Sequence, residues 1–271
     1  MPELPEVETV RRQLDDRLKG RVIRDVIVYK VGREKPLGKK FATAVVGSRL
    51  SGVERRAKLL IFKLDDGRSM LGHLKMTGKF LFVPKDYKSN KHDRMLFVLD
   101  KGKEHMVWSD VRMFGYLRLV NERELAKVLE AYGPEPLVTS ASELAERLLR
   151  PKTRKIKQAL LDQSTIAGIG NIYADEACHR AGVRPTRRLS TLTADERLRI
   201  TTEVKKVLAE SLAQKGTTAN DYVDTTGERG GFLEFLKVYG RDGQPCRKCK
   251  SLIKKITLGG RGTHYCSQCQ E

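Results

Sequence analysis

The chain lacks any apolar run long enough to cross a bilayer, and no signal peptide precedes its first helix. It also lacks a lipidation motif and a basic amphipathic helix at either terminus. These absences predict a soluble cytoplasmic protein with no membrane partner. Acidic residues are few, because 34 Asp and Glu stand against 53 Lys and Arg, a formal net charge of +19 over 271 residues. That excess points to nucleic acid as the partner, although a solvated basic surface would give the same count.

Cysteine is scarce except near the end of the chain, where four of the five cysteines form the pattern C-x2-C-x16-C-x2-C. Its members are Cys246, Cys249, Cys266 and Cys269. Two such pairs supply four thiolates in tetrahedral geometry, which predicts one closed, structural Zn²⁺ site. The segment between them predicts a hairpin turning at 259–260, with Arg261 at its tip as a DNA contact or a solubilising residue. Cys178 stands alone and is predicted to be a buried small hydrophobe.

The first six residues, MPELPE, place two prolines and two carboxylates directly before an amphipathic helix. Apolar residues follow at helical spacing, with Gly20 placed to end the helix. The apolar positions are Val7, Val10, Leu14 and Leu18. Removal of Met1 would expose the secondary amine of Pro2, a candidate nucleophile, with Glu3 as a candidate proton shuttle. On these residues alone, the simpler interpretation is that the prolines only start a helix.

The first half of the chain, from about 22 to 120, shows short alternating strands separated by Gly, Asp-Gly and Lys-rich turns. Asp65-Asp66-Gly67 and Asp100-Lys101-Gly102 are predicted hairpin turns. The regular spacing predicts a sandwich or flattened barrel with the N-terminal helix packed on it. Lys58, before an apolar strand, is a candidate phosphate contact or second amine, but a solvated lysine is the simpler interpretation.

Arg112 and Phe114 are predicted to lie on one side of an extended segment, which suits insertion into a base stack. A strand core with a surface arginine explains the pattern equally well. Met76, in the run LGHLKMTGKF, would by itself be a core residue.

A Gly-Pro-rich linker around 132–137 predicts the main domain boundary, and the remainder before the cysteines is predicted to be helical. The predicted helices span 141–150, 153–162, 172–181 and 194–214. Between two of them, the glycines of AGIGNIY and Asn171 would let a helix N-terminus bind a phosphate. A plain tight corner is the alternative, and the nearby cations Lys152, Arg154, Lys155 and Lys157 favour phosphate.

The motifs PELPEVETVRR, RRAKLL, HLKMTG, DVRMFG, GIGNIYADE and GGRGTHYC occur in this order over essentially the whole chain. Together they closely resemble formamidopyrimidine-DNA glycosylase, a bacterial repair family for oxidised purines. The resemblance implies an α+β fold in which an N-terminal β-sandwich with a terminal helix precedes a helix-two-turns-helix domain and a four-cysteine zinc ribbon. The implied domains are 1–131, a linker with a first helix at 132–150, 151–235, and 236–271.

The resemblance also implies roles for individual residues. The catalytic set would be Pro2 as nucleophile, Glu3 as acid/base, Lys58 near the damaged nucleotide and Arg261, with Glu6 in support. Met76, Arg112 and Phe114 would fill the space left by the flipped base. Phosphate or backbone contacts would come from His73, His92, Lys157, Asn171 and again Arg261. The partner would be damaged double-stranded DNA, bound by a nucleoid-associated monomer in a cleft between the two domains.

The predicted activity is a glycosylase with AP lyase action, which removes 8-oxoguanine and formamidopyrimidines through a Pro2 Schiff base and cuts the strand by β,δ-elimination. In the segment 215–232, Ala219-Asn220 replaces the Leu-Arg expected in the base-recognition loop. Lys75 and Arg94 also depart from the commonest forms. Two rivals remain open: an endonuclease VIII-like enzyme for oxidised pyrimidines, and a zinc-ribbon DNA-binding protein without catalysis. Leu4, with the DVRMFG run, favours the purine enzyme.

Overall fold

The computed structural model describes residues 1–29, 38–149 and 153–271. The predicted boundary between 150 and 151 and the basic residue Lys152 lie outside these ranges. The chain divides into two compact units, one formed by Met1–Glu130 with Gln214–Gly231 and the other by Ala131–Ala213 with Phe232–Glu271. Among the residues described, no helix is both long and apolar enough to span a membrane.

The first unit opens with helix α1, Leu4–Leu18, which buries its apolar stripe in the same core as the sheets that follow. Val7, Val10, Leu14 and Leu18 are each at most 1% exposed, as their spacing predicts. Gly20, with φ of 81°, turns the chain just after the helix ends.

Two four-stranded antiparallel sheets form the body of this unit, in strand orders β1-β6-β7-β5 and β2-β3-β4-β8. The strands are β1 Ile23–Val28, β2 Leu50–Arg56, β3 Leu59–Leu64, β4 Ser69–His73, β5 Gly78–Pro84, β6 Asp93–Leu99, β7 Glu104–Asp110 and β8 Tyr116–Val120. Both sheets contribute to one core, where Phe62 and Phe80 meet edge to face with ring centroids 5.3 Å apart. The predicted sandwich and both predicted hairpin turns are therefore confirmed.

Within the described ranges 1–29 and 38–130, the first unit contains two helices that the sequence did not predict. Helix α2, Lys39–Val45, interrupts the stretch that was expected to be strands, and α3, Glu122–Glu130, follows the last strand. Helix α2 buries Phe41, Ala42 and Val45, which follow helical spacing. The helix is too short for this periodicity to identify it in the sequence.

The second unit is helical before its cysteines. Its helices are α4 Ala141–Arg147, α5 Ile156–Leu161, α6 Asn171–Arg180 and α7 Ala194–Ala213, with 3-10 turns at Leu189–Thr191 and Phe232–Phe235. Helices α6 and α7 match their predicted bounds within one residue, whereas α4 and α5 are shorter than predicted. Thr193 and Glu196 exchange hydrogen bonds of 3.2 and 2.8 Å, which form a capping box at the start of α7. Strands β9 Ile253–Leu258 and β10 Arg261–Cys266 form the predicted hairpin.

Segment 214–231 belongs to the first unit, although the sequence boundaries group it with the helical domain. The physical reason is a set of hydrogen bonds from this segment to α1 and β5, most of which join residues about two hundred positions apart in the chain. Sequence periodicity carries no signal for such long-range contacts.

Candidate functional site

Pro2 is buried just before the first turn of α1, where it is followed by two buried carboxylates. Glu3 and Glu6 are 2% and 1% exposed and form the capping box of the helix. In this box, Oε2 of Glu6 accepts the backbone N–H of Glu3 at 2.7 Å. The chain end is therefore held in one place by the helix start rather than fraying as most termini do.

The second oxygen of Glu6 forms the first of two hydrogen-bonded contacts, called latches below, that hold segment 214–231 against α1. Oε1 accepts the backbone N–H of Thr217 at 2.7 Å. Gly216, with φ of 90°, lies so close that a Cβ at this position would meet the Cγ of Glu6 at 2.8 Å. Burial and then the Glu6 carboxylate raise the pKa of Tyr222, so its phenol keeps its proton and donates to the Lys215 carbonyl at 3.0 Å.

A second latch joins the same segment to the middle of α1. Gln13 accepts two hydrogen bonds from Thr225, from its backbone N–H and its hydroxyl, both at 2.9 Å. The amide of Gln13 donates to Asp224 at 2.7 Å. Between the two latches lies the departure from the expected recognition loop, with Ala219 half-buried and Asn220 exposed.

Lys58 is only 6% exposed, so the simpler interpretation of a solvated lysine is wrong. It sits between β2 and β3, directly after Ala57, whose φ of 53° is unusual for a residue with a side chain. Arg55 supports this turn, since it donates to the Ala57 carbonyl at 2.8 Å and pairs with Glu8 of α1 at 2.9 Å. The helix that holds Pro2 is thus tied to the turn that carries Lys58.

His73 ends β4 and pairs with Leu59, the residue after Lys58, in the neighbouring strand. Burial first, and then the charges of Lys75 and Lys58, lower the pKa of His73 to about 3. Nδ1 of the ring accepts the Lys75 backbone N–H at 3.0 Å. A neutral ring in this arrangement carries its proton on Nε2, which is a donor suited to a phosphate oxygen.

Arg112 and Phe114 share a tight loop between β7 and β8, in which Met113 has φ of 57°. The prediction of an extended segment is therefore wrong, because the segment is a tight loop. The two side chains nevertheless lie together. The Arg112 guanidinium is 4.8 Å from the centre of the Phe114 ring, and Phe114 is 39% exposed. An exposed aromatic ring stacked on a cation is a suitable wedge for a base step.

Buried Asp110 anchors this loop. One carboxylate oxygen accepts the Thr77 hydroxyl at 2.5 Å, and the other accepts the Gly115 N–H at 2.7 Å. Nε of Arg94 donates to the Asp110 carbonyl at 2.8 Å, and the Asp110 N–H donates to the His92 carbonyl at 2.9 Å. His92 therefore lies beside the start of the loop.

Met76 is half-buried in the turn between β4 and β5, rather than in the core. The residue after it, Thr77, donates to Asp110 and accepts the Arg112 N–H at 3.0 Å, so this turn adjoins the Arg112–Phe114 loop. The three residues predicted to fill the space of a flipped base thus come from two turns that are joined by the hydrogen bonds of Thr77.

In the second unit, Lys157 of α5 is completely buried. Its ammonium pairs with Asp175 of α6 at 2.7 Å and donates to the Gly262 carbonyl at 2.8 Å and the Thr263 hydroxyl at 2.9 Å. This geometry favours a role in positioning the hairpin over the direct phosphate contact that the resemblance implies. The role of Lys157 toward DNA stays a prediction.

Asn171 begins α6 and donates to the same Gly262 carbonyl at 3.0 Å. Arg261, next to Gly262, is exposed and opens β10 after two glycines with φ of 56° and 73°. The structure therefore brings three predicted residues of this unit, Lys157, Asn171 and Arg261, to one hairpin turn.

The four cysteine sulfur atoms lie within 4.8 Å of one another. Two of their separations are 3.9 Å, between Cys246 and Cys269, and 3.4 Å, between Cys249 and Cys266. Tetrahedral Zn²⁺ with Zn–S bonds of about 2.3 Å requires S–S edges of roughly 3.8 Å, so the donor set fits zinc. His264 is engaged by Asp175 at 3.2 Å instead of joining the cluster, and Cys178 is fully buried elsewhere.

Sequence reasoning missed several residues that hold these groups in place. They are Gln13, Asp110, Asp175, Glu176 and Thr217. The two carboxylates of GNIYADE fall at helical positions and gave a usable signal, because adjacent acids in an apolar helix are rarely fully buried without partners. Thr217 gave no signal, since it acts through its backbone.

Three family models match the chain in sequence order. They are described as the formamidopyrimidine-DNA glycosylase N-terminal domain at residues 1–117, the formamidopyrimidine-DNA glycosylase H2TH domain at 132–223, and a zinc finger found in FPG and IleRS at 243–271. A formamidopyrimidine-DNA glycosylase from Desulfitobacterium hafniense is 43% identical over 275 residues, which cover 100% of both chains.

Solved structures of the Lactococcus lactis Fpg share the fold. A point mutant of that protein in complex with a Fapy-dG containing DNA has a TM-score of 0.91 and 32% identity over 100% of both chains. A complex with abasic-site DNA has a TM-score of 0.91 and 32% identity over 99% of each chain. A complex with an oxidised pyrimidine in DNA has a TM-score of 0.90 and 32% identity over 100% of each chain.

The sandwich with its N-terminal helix, the helical unit and the zinc ribbon define a DNA glycosylase of the H2TH, zinc-finger type. The chain belongs to the formamidopyrimidine-DNA glycosylase family. The predicted α+β fold and the single structural zinc are thereby confirmed.

Proposed function

We propose that this enzyme removes oxidised purines from duplex DNA through a covalent intermediate on Pro2 and then cuts the strand at the resulting abasic site. It would act in base excision repair at the nucleoid. The observation that carries the proposal is the fixed chain end, where buried Pro2 precedes a capping box of two carboxylates. No catalytic nucleophile is needed beyond this amine, provided that Met1 is removed.

Met1 is 40% exposed, and the small residue Pro2 after it suits removal of Met1 by cellular processing. The freed amine would ordinarily titrate near about 7.7–8.0, which leaves a useful unprotonated fraction at neutral pH. The positive end of the α1 dipole disfavours the protonated amine, whereas the carboxylates of Glu3 and Glu6 favour it. Both influences act on the same nitrogen.

In the first step, the Pro2 nitrogen forms a bond to C1′ of the sugar while the bond from C1′ to the damaged base breaks. The base leaves with the electrons of that bond and takes up a proton from solvent. Glu3 accepts the proton that the Pro2 nitrogen loses and delivers it to the ring oxygen as the sugar opens, and the product is an iminium. Because proline is a secondary amine, this iminium carries a fixed positive charge. The charge acidifies the C2′ protons, whose removal expels the 3′ phosphate, and a second elimination expels the 5′ phosphate.

A base cannot be attacked while it is stacked in a duplex, so the nucleotide must first be flipped out. Phe114, with Arg112 stacked on it, and Met76 would fill the gap that remains. Lys58 and the Nε2–H of His73 would hold phosphates in the first unit. Arg261 would do so in the second unit, where the structural zinc keeps its hairpin folded.

The test is borohydride trapping on a duplex that contains 8-oxoguanine, after mass measurement of the purified protein. We expect a mass without Met1, a trapped complex, and severe loss of trapping in Pro2→Gly. Pro5→Ala is the matched control, because it changes the other proline of the same turn and should trap like the unmodified enzyme. Retention of Met1 on protein that traps would overturn the iminium mechanism.

Oxidised pyrimidines are a second candidate substrate class, because Ala219-Asn220 departs from the expected recognition loop and the Lactococcus lactis protein has been crystallised with such a lesion. A panel of lesions separates the two candidates: faster trapping on 8-oxoguanine than on 5-hydroxycytosine supports purine preference, and the reverse order contradicts it. Trapping on no lesion, with binding to an abasic-site analogue intact, would favour a non-catalytic DNA-binding protein.

A further inference from the structure

His179, near the end of α6, lies against the zinc cluster without belonging to it. Its Nε2 atom is 3.8 Å from Sγ of Cys246, which is completely buried. The other ring nitrogen, Nδ1, is buried and has no hydrogen-bond partner among the residues the structure describes. Among the residues that the structure describes, the ring of His179 therefore makes its polar contact with Cys246 alone.

The position of His179 continues a stripe along one face of α6. Asn171 donates to the Gly262 carbonyl, and Asp175 accepts the His264 N–H at 2.8 Å. His179 follows four residues later, and residues spaced by four lie on one side of a helix. The three members of the stripe contact the zinc ribbon at Gly262, His264 and Cys246, so the docking of α6 against the hairpin also brings His179 to the cysteines.

The chemistry of the bound state decides which atom donates. Four thiolates around Zn²⁺ leave a net charge of −2, and a metal-bound thiolate has no proton to give. The hydrogen must therefore come from the imidazole, through Nε2–H. That tautomer leaves Nδ1 with only a lone pair, which agrees with the lack of an acceptor beside it among the described residues.

We propose that His179 is a positioning residue of the zinc site, whose Nε2–H donates a hydrogen bond to the thiolate of Cys246 and slows loss of the metal. Donation of this kind withdraws charge from the sulfur and fixes the rotamer of the ligand. Partners of metal ligands commonly contribute about 10- to 100-fold to metal affinity.

The first test measures zinc release from the full-length, zinc-loaded protein to a chromogenic chelator. We expect His179→Phe, which keeps the ring shape but has no donor, to release zinc about 10- to 100-fold faster. His179→Gln places an amide donor near the position of Nε2 and should restore most of the slow release. Cys178→Ala is the matched control, because it trims the adjacent buried residue of α6 and leaves the donor in place. Equal release rates in His179→Phe and the unmodified protein would overturn the proposal.

The second test replaces zinc with Co²⁺ and does not depend on stability. Loss of the donor should shift the sulfur-to-cobalt charge-transfer band of His179→Phe to lower energy, because the thiolate becomes more electron-rich, while His179→Gln stays near the unmodified protein. An unshifted band contradicts the proposal. Ligand-field bands typical of three sulfurs and one nitrogen in the unmodified protein would also overturn it, since His179 would then be a ligand.

Discussion

Thr217 donates its backbone N–H to the Glu6 carboxylate at 2.7 Å, across 211 positions of sequence. The other oxygen of the same carboxylate accepts the Glu3 N–H, also at 2.7 Å. One buried acid therefore ties segment 214–231 to the residue that follows the candidate nucleophile. Any rearrangement of the segment that breaks the first bond changes the restraint on the chain end.

The two bonds of Glu6 predict a specific defect in Glu6→Gln. A glutamine side chain has one acceptor oxygen, so its NH₂ group must face either the Glu3 or the Thr217 N–H, and that buried donor loses its partner. The expected cost is about 1–3 kcal/mol, concentrated at the latch rather than spread over the sandwich. Hydrogen exchange should become faster in segment 214–231, and trapping should weaken.

Glu54→Gln serves as the control, since Glu54 is an exposed carboxylate on β2 of the same unit. It should alter neither exchange nor trapping. Exchange in segment 214–231 that is unchanged in Glu6→Gln would show that the Thr217 bond does not hold the segment.

Local features of the sequence predicted much of this site. Helix α1 follows from the spacing of Val7, Val10, Leu14 and Leu18, and the zinc cluster follows from the spacing of its cysteines. Both signals are local, because helix periodicity and paired ligands each act over a few residues.

The supports of the site were not predictable in the same way. Asp110 acts through the geometry of a turn, Thr217 through its backbone, and Lys157 through partners about a hundred residues away. Such contacts leave no periodic pattern in a single sequence. Lys157 shows the consequence, since its place near a glycine-rich turn predicts a phosphate contact but gives no sign of its buried ion pair with Asp175.

The exposed ring of Phe114 predicts a defect that depends on base stacking. Phe114→Ala should slow excision from duplex DNA by roughly 10- to 100-fold, since unstacking costs a few kcal/mol per step and the wedge offsets part of it. Strand cutting at an abasic site in single-stranded DNA should change little, because no stack has to be opened. Both rates are measured by gel under single-turnover conditions.

Val111→Ala is the matched control, because Val111 is 49% exposed in the same loop but is not stacked with Arg112. It should leave both rates near those of the unmodified enzyme. Equal losses on duplex and single-stranded substrates in Phe114→Ala would instead mean that the ring supports the fold of the loop.

The lowered pKa of His73 predicts how stability depends on pH. The folded state holds this ring neutral down to about pH 3, whereas the unfolded state takes up a proton near its ordinary value of 6.5. Stability is therefore lost as pH falls through that window, by up to about 1.4 kcal/mol per pH unit.

His73→Asn keeps an acceptor for the Lys75 N–H but does not titrate, so its loss of stability between pH 6.5 and 4.5 should be shallower. Urea unfolding at several pH values measures this slope, and parallel slopes in the two proteins would contradict the assignment.

The buried pair of Lys157 and Asp175 predicts a large asymmetry between single and double substitutions. Lys157→Met leaves the Asp175 carboxylate buried without its cation and should destabilise the second unit by about 3–5 kcal/mol. Lys157→Met with Asp175→Asn removes both charges and should recover a substantial part of that loss, although the neutral amide is a weaker acceptor for the His264 N–H than the carboxylate. Thermal unfolding of the zinc-loaded proteins gives the comparison, with Lys155→Met as a control that removes a neighbouring cation which is not buried. If the double variant is as unstable as Lys157→Met, the cost comes from the lost bonds to Gly262 and Thr263, and the hairpin beside Arg261 depends on those bonds rather than on the ion pair.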